Sequence, residues 1–332
     1  MIVVKKAGLL TSIQDLGRHG FQKYGVIVSG AMDRLAHRVA NLLVGNEEDL
    51  PTIEITLLGP TIEFQQDCLI AICGGDLSAT INGKPIGLWR PILVKANSEL
   101  KFGTCKTGCR VYLAVAGGFT VPTVMNSKST YIRAGIGGYE GRPLRTGDQL
   151  SVGKTGELSN RIMNQLSRFF TEDIVEEKWQ VNPMRFFEMK RGQAIRVIKG
   201  RHFHLFSKES QDTFFQNDYT ISNQSDRMGY RLKGKELILS EKEEMISEAV
   251  NFGTIQVPAD GNPIILLADR QTTGGYPKIG QVASVDLGIL AQAKPGDRIR
   301  FTEISFEKAQ FLYLKRERKI HELKLGIYLK YS

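Results

Sequence analysis

Three polar segments of this sequence carry more chemistry than a turn requires. The first is Asp269-Arg270-Gln271-Thr272-Thr273-Gly274-Gly275-Tyr276, which leaves the apolar run 264–268. Asp269 can act as acceptor or base and Arg270 can hold an anion. Gln271, Thr272 and Thr273 can orient amides, and Tyr276 closes the segment. The second is 133–142, where four glycines lie between Arg133 and Arg142. It could offer backbone amides and guanidinium groups to a carboxylate or phosphate, or be a flexible hairpin loop. The third is Gln14-Asp15-Leu16-Gly17-Arg18-His19-Gly20, followed by 25–33. Here Ser29-Gly30 stands at an expected helix N-terminus, where anions are favoured; a loop packed across a barrel end is the alternative.

Other reaction classes lack their signatures. The sequence has no serine nucleophile elbow, no Walker A loop and no zincin motif. Its five histidines are His19, His37, His202, His204 and His321. His202 and His204 would share a face on a strand, but with no carboxylate or cysteine near them in sequence they read as surface residues. No metal site is expected. Cys68 and Cys73 bracket a strand-like run, and Cys105 and Cys109 flank a turn, so the four cysteines read as reduced structural thiols.

The elements that must position these segments follow from length and pattern. The 332 residues predict two domains. A charged fraction of 24% beside 42% hydrophobic residues excludes a disordered chain. No apolar run reaches membrane-spanning length, and the start lacks an apolar signal core, so a cytoplasmic address is expected. The net charge of +9 is uneven: residues 305–332 hold seven Lys/Arg and three Glu, leaving +5 for the rest. Without a recognition motif this does not support nucleic-acid binding.

Internal similarity organises the chain further. Residues 2–4 and 195–197 align at an offset of 193, as do Ser29 with Ser222 and Asp33-Arg34 with Asp226-Arg227. The run 110–119 resembles 264–276, with Gly-Gly-aromatic endings in both. The run 146–152 resembles 295–301. A tandem duplication is therefore expected. Alternating strands dominate each copy, with a hairpin turn at Asn82-Gly83. Helices are expected at 31–44 with Ser29 as N-cap, at 159–170, and from Phe306 onward. The fold class is mainly β: two tandem barrel domains, 1–155 and 192–304, a helical linker at 156–191, and a C-terminal basic helix and tail at 305–332.

Five motifs in order resemble one family. They are Gln14–Gly20, Ser29-Gly30-Ala31-Met32-Asp33, and the runs 54–60, 225–232 and 253–276. The chain resembles the biotin-dependent carboxyltransferase, or allophanate hydrolase subunit 2-like, family, and within it the 5-oxoprolinase branch. The resemblance implies cyclophilin-like barrels and assembly with two other 5-oxoprolinase components, the larger A subunit and the small B subunit, the latter being the kinase inhibitor. The complex would open 5-oxo-L-proline to L-glutamate with ATP hydrolysis and counteract inhibition of a sporulation histidine kinase. ATP is the implied cofactor, with no position in this chain assigned. No biotin-attachment segment is present, and the alternative is biotin-dependent carboxyl transfer to urea or a related amide. Asp269, Gln271, Thr273 and Tyr276 match the signature and are the candidate catalytic residues. Asp226, Arg227 and Tyr230 also match; with Ser29, Arg133, Arg142 and Arg270 they form the candidate substrate-binding set.

Overall fold

The computed structural model describes residues 1–170, 173–187, 194–241 and 245–332. Two compact units result: 1–18, 29–183 and 319–332 form the first, and 19–28 with 184–318 form the second. These units interleave along the chain, whereas the sequence pattern divides it in order. The boundary expected at 191/192 lies outside the described residues.

In the first unit, alternating apolar residues build two antiparallel six-stranded sheets over one core. One sheet runs Gln149–Leu150, Ile2–Lys6, Thr61–Phe64, Glu99–Lys101, Thr80–Ile81, Lys84–Pro85. The other runs Ile174–Glu176, Ile92–Val94, Cys68–Asp76, Thr107–Val115, Thr52–Thr56, Leu10–Gln14. Ile2, Val4 and Phe64 from the first sheet join Ile55, Ile72 and Leu113 from the second in a single buried cluster. The expected hairpin turn is present, with Asn82 (φ 48°) and Gly83 (φ 80°) both left-handed, as a two-residue hairpin loop requires. All four cysteines are free. Burial pushes the Cys68 thiol up to about 11 and the Cys73 thiol well above its ordinary value.

Helix α1, Arg34–Leu43, packs on the second sheet through strands Cys68–Asp76 and Thr107–Val115. Its N-cap is Asp33, whose carboxylate accepts from the Ala36 amide at 3.0 Å, and not Ser29. Ser29 has a left-handed backbone (φ 56°), and its hydroxyl donates to the Thr130 carbonyl. The anion-favouring helix end is thus already filled by Asp33. A buried polar layer lies beneath the helix. Glu54 accepts from the Met32 amide (2.9 Å) and the Tyr112 hydroxyl (2.8 Å), and Tyr112 accepts from the Asp33 amide (2.7 Å). His37 pairs with the Thr52 hydroxyl through Nδ1, and burial lowers its pKa to about 4. Helix α2, Glu157–Ser167, lies near its expected range.

The second unit closes completely. Its barrel order is Ile195–Lys199, Lys278–Val282, Thr254–Gln256, Ile264–Leu266, Gly229–Lys233, Asp218–Ile221, Arg298–Glu303. The seam pairs the first and last of these strands in parallel, with Ile195 opposite Phe301. Phe214 stacks on Phe301 at 4.8 Å between ring centres, with Tyr219 alongside. Helix α3, Lys208–Gln216, is capped by Ser207. Helix α4, Leu287–Ala291, follows Asp286, which is bound by the Arg196 guanidinium.

The expected C-terminal helix is α5, Phe306–Lys330. Within the second unit, its Ala309 and Leu312 bury against Ala283, Val285 and Ile304. Within the first unit, its Ile320 and Ile327 are buried and Lys324 pairs with Glu47. Among the described residues no helix is long and apolar enough to cross a membrane.

One duplicated motif recurs as geometry. Gly147 (φ 93°) and Gly296 (φ 89°) turn the chain alike. In both turns the following aspartate accepts from an amide three residues back, Asp148 from Arg145 and Asp297 from Lys294. Their neighbours differ. Gly147 donates to Val4 and Gly296 to Ile221. The strand that the sequence offset equates with Ile2–Lys6, Ile195–Lys199, lies parallel on the other side of Arg298–Glu303.

Candidate functional site

Strands Gly229–Lys233 and Ile264–Leu266 run antiparallel, with Gly229 opposite Leu266. Pairing continues past both strand ends: Leu267 donates to Met228 O at 2.9 Å and Asp269 to Arg227 O at 2.8 Å. This register brings two distant motifs side by side. Arg227 grips Asp269 with two parallel bonds, Nε–Oδ2 2.9 Å and Nη2–Oδ1 3.1 Å. Their side chains are only 5% and 8% exposed. Both carboxylate oxygens therefore serve a buried ion pair, and Asp269 braces the loop where the sequence pattern suggests a base.

Arg270 is also turned inward. Its Nε donates to Val250 O and its Nη1 to Leu267 O, which ties the guanidinium to the fold and not to an incoming anion. Asp226 accepts from the Met228 and Gly229 amides through Oδ1, closing its own turn. Tyr230 is buried and donates to Ala293 O at 2.9 Å. Of the residues expected to bind substrate in this unit, all four thus have scaffold contacts.

What remains outward is the tip. Thr273–Gly274 pairs with Glu248–Ala249 in a two-stranded ribbon, and Val250 N donates to Thr272 O. A side chain at Gly274 would lie 2.5 Å from Gln256 Nε2, so glycine there lets the ribbon lie against Gln256 without displacing its amide. Gln256 also donates to Tyr276 O. Gln271, Thr273 and Tyr276 are exposed, presenting an amide, a hydroxyl and a phenol from one rigidly held loop.

His202 is a functional candidate that its local sequence hides. It follows strand Ile195–Lys199 and precedes a short 3-10 turn at Phe203–Leu205, so it does not share a strand face with His204. Its Nδ1 accepts the backbone amide of Lys278 at 3.1 Å, two residues after Tyr276. That bond selects the neutral tautomer with hydrogen on Nε2. Burial lowers the imidazole pKa, opposed by Glu248 and assisted by Lys278 and Arg201. Glu248 in turn pairs with Lys278 (2.9 Å) and Arg201 (2.8 Å). The carboxylate missing from the local sequence comes from the facing ribbon strand.

The first unit's two segments are built for internal contact. Asp15 accepts from Gly17 N, Lys128 N and the Ser127 and Ser129 hydroxyls. Arg18 donates to Val124 O and Ser129 O. In the glycine-rich loop, side chains at Gly137, Gly138 and Gly141 would collide with Ser129 O, the Thr130 hydroxyl and Gly135 O. Arg142 is held by Asp148 at 2.7 and 2.9 Å and by Glu140 at 2.6 Å. Arg133 is exposed at the loop tip. The glycines serve chain packing and Arg142 is saturated by carboxylates, so this loop does not fit a triphosphate. Among the described residues no group of three His, Cys, Asp or Glu side chains is placed to hold a metal ion.

Comparison with known proteins gives a consistent relation. Residues 24–303 match the family described as carboxyltransferase domain, subdomain A and B. The chain is 40% identical over 306 residues to the C subunit of 5-oxoprolinase from Haemophilus influenzae, spanning 92% of each chain. It is 39% identical over 309 residues to the Escherichia coli protein of the same name, spanning 93% of each. The crystal structure of the Kluyveromyces lactis urea amidolyase superimposes with a TM-score of 0.85 at 30% identity, covering 97% of this chain and 20% of that one.

Proposed function

Because the chain belongs to the family of carboxyltransferase domains with subdomains A and B, we propose that it is the matching component of an ATP-dependent 5-oxoprolinase. That complex opens 5-oxo-L-proline to L-glutamate and includes the larger A subunit and the small B subunit. The observation that carries this reading is similarity over 92–93% of the chain to two proteins named as the C subunit of 5-oxoprolinase.

Opening a lactam places negative charge on the carbonyl oxygen and requires a proton on the departing nitrogen. Preformed hydrogen-bond donors stabilise the first, and a correctly protonated group supplies the second. In this reading Gln271, Thr273 and Tyr276 are the donors from the ribbon loop, and neutral His202, bonded through Nδ1 to the Lys278 amide two residues past Tyr276, offers Nε2–H. Asp269 acts through Arg227 by holding the loop's root, as a positioning residue. ATP supplies the driving force in the assembled complex. The glycine-rich loop does not fit it, and no step through ATP is assigned to this chain.

The test is glutamate release from 5-oxoproline with ATP, for this chain alone, for its two partners without it, and for all three. Turnover is expected only in the full mixture. Equal turnover without this chain would sink the proposal. A cytoplasmic address and a part in sporulation-kinase control extend the same reading, and co-purification with the small kinase-inhibitor partner tests the contact they need.

A second reading is favoured by the urea amidolyase superposition, in which this chain matches one fifth of a larger enzyme. There the chain would transfer a carboxyl group from biotin carried by another polypeptide. Avidin separates the two: it abolishes carboxyl transfer and leaves lactam opening untouched.

A further inference from the structure

The first unit contains a cavity of about 420 Å³ that no residue of the signature motifs lines. Its walls come from four places in the chain: the end of α1 and the loop after it, Gly117, residues 154–161, and the turns of α5 near 324–328. Leu42, Leu50, Leu158, Ile327 and the Tyr328 ring make it apolar on one side. Its volume falls within the range of small-molecule sites.

Its charged groups are unequal. Glu47 pairs with Lys324 and Glu157 with Arg161, and both carboxylates are largely exposed, at 75% and 79%. Arg161 also interacts with Tyr328. Lys154 has no ion-pair or hydrogen-bond partner among the described residues. Three cations against two paired carboxylates leave one net positive charge at the wall. The same wall carries the start of α2, whose N-cap Gly156 has no side chain to accept from the first-turn amides.

We propose that this cavity binds a small organic monocarboxylate with an apolar body. One uncompensated positive charge matches a monoanion, and the leucine, isoleucine and tyrosine surface takes a hydrocarbon portion. A neutral isostere would forgo the charge-assisted bond to Lys154, which is exposed at the cavity wall. A dianion would exceed the available charge and disturb the two wall ion pairs. The assignment is independent of the lactam-opening reading.

Ligand-observed saturation-transfer NMR on the full chain, titrated with hexanoate, hexanamide and hexyl phosphate, tests it. Hexanoate is expected to saturate, with hexanamide and hexyl phosphate each at least ~10-fold weaker. Lys154→Met should weaken hexanoate ~10-fold without changing the unfolding midpoint, and Leu158→Trp should fill the cavity and abolish binding. Equal binding of hexanoate and hexanamide, tighter binding of hexyl phosphate, or no saturable binding would overturn it. So would wild-type hexanoate affinity in Lys154→Met. The three-ligand comparison on the unaltered chain decides the matter even if a variant fails to fold.

Discussion

In each unit a Gly-Gly-aromatic run follows a strand, Gly117-Gly118-Phe119 in one and Gly274-Gly275-Tyr276 in the other, and the two are used in opposite ways. In the first unit both glycines are left-handed (φ 88° and 66°), Gly117 donates to Asn46 Oδ1, and Phe119 is buried at 1% exposure. In the second, neither glycine is left-handed, Thr273–Gly274 forms ribbon pairs, and Tyr276 stands 48% exposed. One ending closes a core and the other displays an aromatic hydroxyl. What separates them is the insertion of Asp269–Thr273, anchored by the Arg227–Asp269 pair.

Replacing the aromatics tests this contrast most strongly. Phe119→Ala should cost about 3–5 kcal/mol, as deletion of a buried ring does. Tyr276→Ala should change stability by less than ~0.5 kcal/mol. Urea unfolding of both variants makes the comparison, and similar losses would erase it. In the reconstituted complex, Tyr276→Phe should lower glutamate release ~100-fold at unchanged stability if its hydroxyl serves the developing charge.

The anchor gives an effect of similar size. Asp269→Ala removes the buried carboxylate that Arg227 grips with two bonds, with an expected loss of about 3–5 kcal/mol. Removing both charges with Arg227→Met and Asp269→Leu should recover part of it. If the double variant proved less stable than either single one, the pair would be more than a brace.

A third contrast is acid response. His37 stays neutral in the folded first unit down to about pH 4, while the unfolded chain takes up its proton near the ordinary value of 6.5. The unfolded state therefore binds more protons in this window, and stability present above pH 6.5 is lost as pH falls toward 4. The loss is on the order of 3 kcal/mol. His37→Gln should flatten that slope relative to the parent chain in unfolding measured at pH 7 and pH 4.5.

The smallest effect concerns the glycines. Gly117→Ala forces a side chain into left-handed backbone and against Gly153 O, costing about 1–3 kcal/mol. Gly275→Ala meets the Ser247 hydroxyl at 3.2 Å and Met245 O at 3.8 Å, and should be nearly neutral by thermal unfolding.

Local signals were legible where short-range chemistry decides the outcome. The Asn82-Gly83 hairpin, the start of α5, the site of α2 and the paired turns at Gly147 and Gly296 all depend on neighbouring residues. The start of α1 was not, because Ser29 and Asp33 are equally good caps and only the fold picks Asp33. Leu237–Leu239 is wholly apolar, yet only Leu239 makes a bridge, to Phe206. The site shows the same limit at longer range. Asp269 and Arg227 both stood out in sequence, but their union depends on register between strands over thirty residues apart. His202 looked isolated because Lys278 and Glu248, which fix its tautomer and charge, arrive from two other segments.

The parallel seam of the second unit has a consequence for how the chain is made. Ile195 meets Phe301 only after about a hundred further residues have been synthesised. Until then Ile195–Lys199 and Asp218–Ile221 each have an unpaired edge, the kind of surface that recruits other chains. Closure is therefore a late folding event that depends on Arg298–Glu303. Slowing translation, or supplying a chaperone, between residues 221 and 298 should matter more to the yield of this protein than any single side chain at its surface.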